Sequence, residues 1–443
     1  MWRYNSNMEN IRVKDEYKLS RILYIIEASL EYFISIGISL TYLPVLGAAL
    51  GMEGSLIAII ESFVSLGASF QIFAVLLVKK KRVKPIVTSM HILSQIFFAC
   101  VWFIPLFKAS KIAKIILFVC MLLGAHVIHN IINAPKINWY MSLVDHNKRG
   151  VFTAIKEIVS LIGGMLFTML YGNMIQHFEE KGEIETAFIL CGVLLLFIML
   201  SHTLTLIFSK EKPQSEKEEL EHEKPIKEQL KHIVSDKQLL KVILIPVFWA
   251  IVQNMTNPFY SVYQREVMGM QTATISLIIA VGSILRAVFS IPMGRYADKT
   301  SFSKMLNLCF LIALFGIMVN VFSGFMISET LSVVAVAGFW LLHYISFAGI
   351  NSGIMNIIYD HVDKDRQMVA LAFKSSFAGI VGFLTTVMFA PIVDWINSLN
   401  LIIFGYTVYA QQVLGVLAII IIIFMMIYNS KVVGKQKKGE FSD

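Results

Sequence analysis

Residues 293–306, Met-Gly-Arg-Tyr-Ala-Asp-Lys-Thr-Ser-Phe-Ser-Lys-Met-Leu, form a short polar run between two long apolar segments. Four of them, Gly294, Asp298, Lys299 and Lys304, fit the pattern G-x-x-x-D-[RK]-x-[GS]-x-x-[KR]. This pattern is informative only if the segments on both sides of it are membrane helices, so the rest of the chain must be considered first.

The composition indicates a membrane protein. The chain is 56% hydrophobic and 15% charged, with a mean hydropathy of +0.69. A bilayer core takes about 20 apolar residues per helix, and backbone groups inside it must bond within their own segment. The continuous apolar runs do not alternate as barrel strands do. They predict twelve spans, at 19–46, 54–78, 85–107, 112–143, 151–176, 186–208, 239–266, 272–297, 303–327, 330–358, 367–394 and 401–429.

With these spans in place, the run 293–306 resembles the loop between the second and third helices of each half of major facilitator superfamily transporters. The resemblance covers about residues 19–429. It implies an all-α membrane protein with twelve helices in two pseudo-symmetric six-helix bundles. In that family the motif aspartate caps or salt-bridges neighbouring helix ends and helps to hold the outward-facing state, which implies this role for Asp298, beside Gly294 and Lys299. The matching first-half loop, 79–84, keeps the basic residues but lacks the Gly and the Asp.

One polar segment divides the spans into two groups of six. Residues 209–238 hold seven lysines and eight acids, with Pro213 and Pro225, which is typical of a solvated linker. Its second half carries apolar residues at helical spacing and predicts a short helix on the membrane surface. We therefore expect a first bundle at 1–208, a cytoplasmic linker at 209–238 and a second bundle at 239–443.

The two halves are related in sequence. When residue 133 is aligned with residue 351, an offset of 218, eleven of the 36 positions up to residue 168 are identical. The polar matches are the informative ones, since apolar identities are frequent by chance. They are Asn133/Asn351, Asn138/Asn356, Asp145/Asp363 and Lys156/Lys374. Two parallel six-helix repeats, related by an axis along the membrane normal, are expected.

Charge placement predicts the topology. Lysines and arginines cluster in the loops after spans 2, 4, 8 and 10 and in the C-terminal tail, so the positive-inside rule puts both termini in the cytoplasm. The composition, without a recognisable targeting segment, favours a bacterial inner membrane. Nucleic acid is not an expected partner, because the cations lie in short loops. All four cysteines fall inside spans, where they act as small apolar residues.

Charged residues inside the spans are costly, at about 2.5–3.5 kcal/mol each at the bilayer centre. They should face a cavity or a partner. Equal numbers of the two signs indicate pairing within the set, which is Glu27, Glu31, Glu61 and Glu157 with Lys136, Lys156, Arg286 and Lys374.

Span 1 carries a polar stripe that includes Glu27 and Glu31 at helical spacing, so this face points to protein or water. We expect Glu27 to pair with Lys136 or Lys156. Burial at mid-depth favours the neutral form of a carboxyl group, so Glu31 is the candidate for binding a proton near neutral pH.

Spans 4, 7 and 10 concentrate uncharged polar and aromatic residues. In the resembled family, these spans and span 1 line the central cavity. Amide and aromatic groups suit a hydroxylated or amphipathic solute, although helix packing is the alternative for each aromatic. The cavity candidates are Asn130, Asn133, Gln253, Asn257, Tyr260, His343 and Asn351. His126 and His129 lack a third ligand nearby, so no metal is expected.

Three basic residues leave alternatives open. Arg286 lies in the middle of span 8, where it either neutralises Glu31 or clamps an anionic substrate with two hydrogen bonds. Lys156 and Lys374 lie about two turns from the cytoplasmic edge. They either belong to the coupling and ion-pair network or extend to the interface.

These features predict a secondary active transporter that moves a small polar solute, sugar-like or an organic anion, by alternating access. Proton-coupled uptake is favoured and a monomer is expected. No phosphate-binding loop and no soluble catalytic domain occur, so neither ATP hydrolysis nor an enzyme nor a cofactor is expected. The alternatives are a proton-driven exporter of drugs or amphipaths, and a membrane receptor that binds its solute without moving it.

Overall fold

The computed structural model describes residues 16–74, 82–145, 149–212, 226–326, 328–362, 366–403 and 405–434. Within these residues, eleven helices are long and apolar enough to cross a membrane. They match predicted spans 2 to 12, at Gly54–Phe73, Lys84–Leu106, Lys111–Ser142, Ile155–Glu180, Ile184–Phe208, Lys237–Glu266, Thr272–Lys299, Phe302–Ser323, Thr330–Tyr359, Val369–Ser398 and Ala410–Val433. The prediction of an all-helical membrane fold is confirmed.

The region of predicted span 1 is built from two helices, Lys18–Gly37 and Leu43–Ala49. The first holds four charged residues within 20, namely Lys18, Arg21, Glu27 and Glu31. It supplies both carboxylates of the buried ionic cluster described below.

Span 2 is broken into shorter helices. Gly54–Glu61 and Phe63–Ser69 meet at Ser62, and a 3₁₀ turn follows at Phe70–Phe73. The break places Glu61 at a helix end inside the membrane region.

The connections follow ordinary capping rules. Asp236 accepts hydrogen bonds from the Gln238 and Leu239 amides and begins span 7, as an N-cap residue should. The predicted linker helix is present at Ile226–Ser235. The other part of the linker, with Pro213 and Pro225, lies outside the described residues. Between spans 11 and 12, strands β1 (Ile402–Ile403) and β2 (Tyr406–Thr407) form a small antiparallel hairpin.

The motif segment that opened the sequence analysis is mostly helical. Span 8 continues to Lys299, and Ser301 then caps the next helix by accepting a hydrogen bond from the Lys304 amide at 3.2 Å. Asp298 is exposed, and among the described residues it has no hydrogen bond or ion pair. Its conformational role stays a prediction. In the corresponding first-half loop, residues 75–81 lie outside the described part, as do Lys148, Lys364 and the tail from 435 onward.

Buried apolar side chains form two large cores. One lies almost wholly within spans 7 to 12 and includes Tyr260, Phe310 and Phe339. The other lies almost wholly within spans 1 to 6 and includes Tyr42 and Trp102. This pattern is consistent with two bundles, while the bundle boundaries themselves stay a prediction.

Polar contacts join the two halves. We call the side of the molecule that holds the loops after spans 2, 4, 8 and 10 the terminal face, and the other side the distal face. Toward the distal face, Arg265 forms an ion pair with Glu179, and the Tyr42 and Ser276 hydroxyl groups lie 3.0 Å apart. Deeper in the molecule, the Ser65 hydroxyl donates to the Asn254 side-chain oxygen at 2.8 Å.

Span 7 contains Pro258, which removes the backbone hydrogen bond that the Asn254 carbonyl would otherwise accept. Thr386 of span 11 supplies the replacement, because its hydroxyl donates to that carbonyl at 2.7 Å. Thr386 is fully buried, so water does not substitute for it. The break in the helix is therefore stabilised by a neighbouring span.

We expect Thr386→Val to lower the free energy of unfolding by about 1–3 kcal/mol, because it leaves a buried carbonyl without a donor. Equilibrium unfolding in mixed micelles measures this. Thr385→Val is the matched control, since Thr385 donates only to Val381 of its own helix, at 2.8 Å. Equal effects of the two variants would contradict this account.

Candidate functional site

Three neighbouring cavities lie along span 1. The largest has a volume of about 440 Å³ and includes Glu31, Lys156 and Arg286 in its wall. A second, of about 280 Å³, is lined by Glu31 and Glu61 among others. A third, of about 210 Å³, is lined by residues of both halves, such as Ser39 and Trp340. Because Ser35 lines all three, they form a chain of spaces along one helix.

A buried ionic cluster lies beside these cavities, and Lys136 of span 4 is at its centre. The Lys136 ammonium donates to Glu27 Oε1 at 2.7 Å and also to Glu31 Oε2. Lys136 is 1% exposed and Glu27 is fully buried, whereas the Glu31 side chain is 19% exposed. Of the two carboxylates, only Glu31 lines the cavities, beside Lys136 and His129. Of the two partners that the sequence left open for Glu27, the structure places Lys136 there.

Three histidines complete the cluster. His91 Nε2 lies 3.1 Å from Glu31 Oε1, and His129 Nδ1 lies 3.5 Å from the same oxygen. On the far side, His202 Nε2 lies 2.9 Å from Glu27 Oε1. Imidazole N–H donors can therefore supply the hydrogen bonds that the two carboxylates need, and two carboxylates with one ammonium leave a formal charge of −1 if all histidines are neutral.

The same donors include two groups with spacing close enough for a metal ion, Glu27–His91–His202 and Glu31–His91–His129. However, Lys136 Nζ contacts both carboxylates and lies 3.1 Å from His91 Nε2. The ammonium thus supplies the positive charge that a metal would otherwise bring. A metal ion would have to displace it, so we assign the cluster no metal.

Arg286 does not pair with Glu31, and that alternative is wrong. Its Nη2 lies 3.7 Å from Glu157 Oε1, while Glu31 is held by Lys136 and the histidines. Arg286 is 31% exposed and lines the largest cavity, where it remains available to a solute.

Lys156 lines the same cavity. Its ammonium lies 5.3 Å from the centroid of the Tyr24 ring, a distance that gives a cation–π attraction. Lys156 is therefore held inside the protein, near the terminal face, rather than extended to the interface. Its repeat-related partner Lys374 is half-buried and lines none of the three cavities.

The uncharged candidates fall into two groups. Asn130 and Asn133 of span 4 line cavities, as the sequence led us to expect. Gln253 accepts a hydrogen bond from Asn257 on the same helix at 2.9 Å, and neither lines any of the three cavities. Their contacts therefore give them a packing role in this conformation.

Three candidates from spans 7 and 10 do not line the cavities as the sequence predicted. Tyr260 of span 7 is fully buried and packs edge-on against Phe339. His343 packs against Phe339 and Phe347, with ring centroids 5.6 and 4.8 Å apart. Asn351 is exposed and lines none of the three cavities. Trp340 and Tyr344, by contrast, do line the third cavity.

His91 and His202 belong to the site, although the sequence did not indicate them. Each is the one histidine of its span, and both are fully buried. The available signal was that an ionisable residue in a membrane helix needs a partner. Which partner it has depends on how spans 1, 3, 4 and 6 pack together.

A multi-pass bundle of apolar helices with polar cavities between two cores is the architecture of a membrane transporter. The family model described as Major Facilitator Superfamily matches residues 28–386. The chain belongs to this superfamily, and it is therefore a transporter rather than an enzyme, acting on a small-molecule substrate in a lipid membrane.

Solved structures support the same fold. A mutant of the nucleoside transporter NupG superposes with a TM-score of 0.68 at 12% identity, covering 93% of this chain and 99% of that chain. A D-xylose–proton symporter gives 0.66 at 13% identity, covering 92% and 97%. A bacterial homologue of the iron transporter ferroportin, outward-facing with soaked iron, gives 0.61 at 11% identity, covering 95% and 100%. No curated protein matches the sequence.

Proposed function

We propose that this protein takes up a small polar solute by alternating access, coupled to the entry of protons, with Glu31 as the proton-binding group. The observation that carries the proposal is the position of Glu31. It is the one carboxylate of the Lys136 ion pairs that lines the cavities, since the fully buried Glu27 lines none of them.

The cavity wall suits a solute with hydroxyl or anionic groups. Arg286 and Lys156 offer positive charge, and Asn133 and Ser160 offer hydrogen bonds. The volume of about 440 Å³ fits the size of one small molecule. A sugar-like molecule or an organic anion meets these requirements, and the neighbouring folds include a nucleoside transporter and a xylose–proton symporter.

Contacts between the halves support the proposal of alternating access. The ion pair of Arg265 with Glu179 and the contact of Tyr42 with Ser276 join the halves toward the distal face. We infer that this is the closed gate, on the outer side of a bacterial inner membrane with both termini in the cytoplasm. Rocking of the two bundles, in a protein acting as a monomer, would break these contacts and open the outer side.

Coupling follows from the shared ammonium. Lys136 cannot neutralise Glu27 and Glu31 fully at once, so a proton on Glu31 would leave Lys136 to Glu27 alone. The neutral Glu31 side chain would then be free to bond a solute in the cavity. Proton and solute would thus stabilise the same state, which is the requirement for symport.

Glu31→Gln tests the proposal, because glutamine keeps the shape and loses the titration. In proteoliposomes, we expect accumulation driven by a pH gradient to be lost, while counterflow of the solute continues. A panel of sugars, nucleosides and organic anions identifies the solute, and an amphipathic drug in the panel tests the exporter alternative. Unchanged gradient-driven accumulation by Glu31→Gln would exclude Glu31 as the coupling group.

The anion option has its own test in Arg286→Lys and Arg286→Gln. If Arg286 binds the anionic group of the solute, both variants should weaken apparent affinity, because lysine cannot reproduce the two parallel hydrogen bonds of a guanidinium. Normal affinity in both would assign Arg286 to the Glu157 pair alone. A chain that binds a solute in detergent but shows no counterflow would instead be a receptor.

A further inference from the structure

A second buried carboxyl group lies at the contact between the halves. Glu61 ends the first helix of span 2 and is 4% exposed, and Ser261 of span 7 is 6% exposed. Ser261 Oγ lies 2.9 and 2.8 Å from the two carboxyl oxygens of Glu61, and 2.8 Å from the Pro258 carbonyl oxygen. This group plays no part in the Lys136 cluster.

No basic residue compensates Glu61. Within the described parts of the chain, it has no ion pair with lysine, arginine or histidine. Arg265 is bound to Glu179, and Glu266 is itself an acid. The titratable groups that line the same cavity are Glu31, His126 and His129. The helices packed against the Glu61 helix add Lys237, Lys241, Tyr260, Tyr263, Arg265 and Glu266 of span 7, and Lys374 and Asp394 of span 11.

The energetic consequence is that Glu61 is neutral in this conformation. An ionised carboxylate in an apolar interior is strongly unfavourable unless it is paired, and one hydroxyl hydrogen is weak compensation. Ser261 has a single hydrogen to share between the carboxyl group and the Pro258 carbonyl. A protonated Glu61 removes this shortage of donors. Its own O–H donates to Ser261 Oγ, and the Ser261 hydroxyl then donates to the Pro258 carbonyl oxygen.

The surrounding backbone is suited to movement. Glu61 lies at the break of span 2 at Ser62, and Ser261 lies one turn after Pro258 in span 7. The two interrupted helices therefore meet at the point where the halves are bonded. Separation of the halves here would expose Glu61 to water.

We propose that Glu61 binds a proton as the distal gate closes and releases it as the gate opens, so that the Glu61–Ser261 contact is a proton-dependent clasp between the two bundles. The proposal deepens the proton coupling inferred above and rests on it for its physiological role. It adds a proton-binding site that is separate from Glu31.

The sign of the pH effect follows by linkage. The closed state binds one more proton than the open state, so acid favours closure and alkali favours opening. One proton changes the closed-to-open ratio by at most about tenfold per pH unit. This slope is the quantity to measure.

Spin labels on exposed distal-face positions of each half report the gate. We suggest Ala109→Cys and Leu399→Cys, with the four native cysteines replaced, and double electron–electron resonance in nanodiscs without substrate. Between about pH 5 and 9, the short-distance population should rise on acidification, with a slope approaching the one-proton limit. A population that does not change with pH would overturn the proposal without any variant.

Glu61→Gln supplies the second arm, since it mimics the neutral acid. Its short-distance population should be high and should change less with pH than that of the wild type. Glu185→Gln, which removes an exposed acid at the start of span 6, is the matched control and should keep the full slope. Retention of the wild-type slope by Glu61→Gln would overturn the assignment to Glu61.

Different measurements contradict the proposal for Glu31 and the proposal for Glu61. The label measurement uses neither solute nor gradient, so it reports Glu61 even if Glu31 carries no transported proton. Conversely, loss of accumulation in Glu31→Gln with a normal slope in the label experiment would support the transport proposal alone.

Discussion

Lys136→Met is expected to destabilise the protein by about 3–5 kcal/mol, the usual cost of removing one partner from a buried ionic group. The methionine removes the ammonium that serves both Glu27 and Glu31, while it approximately keeps the volume of the lysine stem. Glu27 is fully buried, so water cannot take over. Equilibrium unfolding in mixed micelles measures the loss, and transport in proteoliposomes should fall with it.

The origin of that loss is tested by removing all the charges. The triple variant Lys136→Met, Glu27→Gln, Glu31→Gln should recover at least half of the lost stability, because no buried charge is left without a partner. Lys156→Met is the control for a lysine in the same cavity. It should cost only about 0.5–1 kcal/mol, the value of an exposed cation–π contact. A loss in the Lys156 variant as large as that of Lys136→Met would contradict the central position of Lys136.

Gly379→Ala is the second substitution from which we expect a large effect. Gly379 of span 11 packs against the backbone of span 2 in the other half. An added Cβ would lie 2.8 Å from the Ser69 amide nitrogen and closer still to the Ser65 carbonyl oxygen. Overpacking of this kind costs about 1–3 kcal/mol. Because the contact joins the halves, the cost falls on the conformation rather than on the folding of either half.

The occupancy of this conformation should therefore fall by about 5–150-fold, the range that corresponds to 1–3 kcal/mol. Counterflow rates and the short-distance population of the Ala109–Leu399 label pair measure it. Gly338→Ala in span 10 is the control, since the only atom near its added Cβ is a Val319 methyl carbon at 3.7 Å. Normal counterflow by Gly379→Ala would show that spans 2 and 11 do not need this close approach.

Much of the fold was predictable from the sequence because the bilayer restricts what an apolar segment can be. Eleven of the twelve predicted spans correspond to helices, and the linker helix at Ile226–Ser235 was also predicted. The predicted start of span 12 at residue 401 was wrong, because Ile402–Ile403 and Tyr406–Thr407 form a hairpin and the helix begins at Ala410. The motif at 293–306 resembles that of the family by sequence alone. These inferences use only local composition and spacing, which a membrane helix must satisfy by itself.

The site was only partly predictable. Spacing along one helix placed Glu27 and Glu31 on one face, and that inference needed no neighbour. It could not choose between Lys136 and Lys156 for Glu27, and the proposed pair of Arg286 with Glu31 was wrong. Similarly, Tyr260 and His343 have the residue types of a cavity wall, but they face the apolar core.

The sequence by itself determined that the chain crosses a membrane as helices, and that its few charges must be hidden from lipid. The tertiary structure alone decided which charges meet: Lys136 with Glu27 and Glu31, Arg286 with Glu157, and Glu61 with no cation among the residues that the structure describes. The physical reason is that helix formation is satisfied within a segment, whereas neutralisation of a buried charge depends on groups that are a hundred or more residues away along the chain.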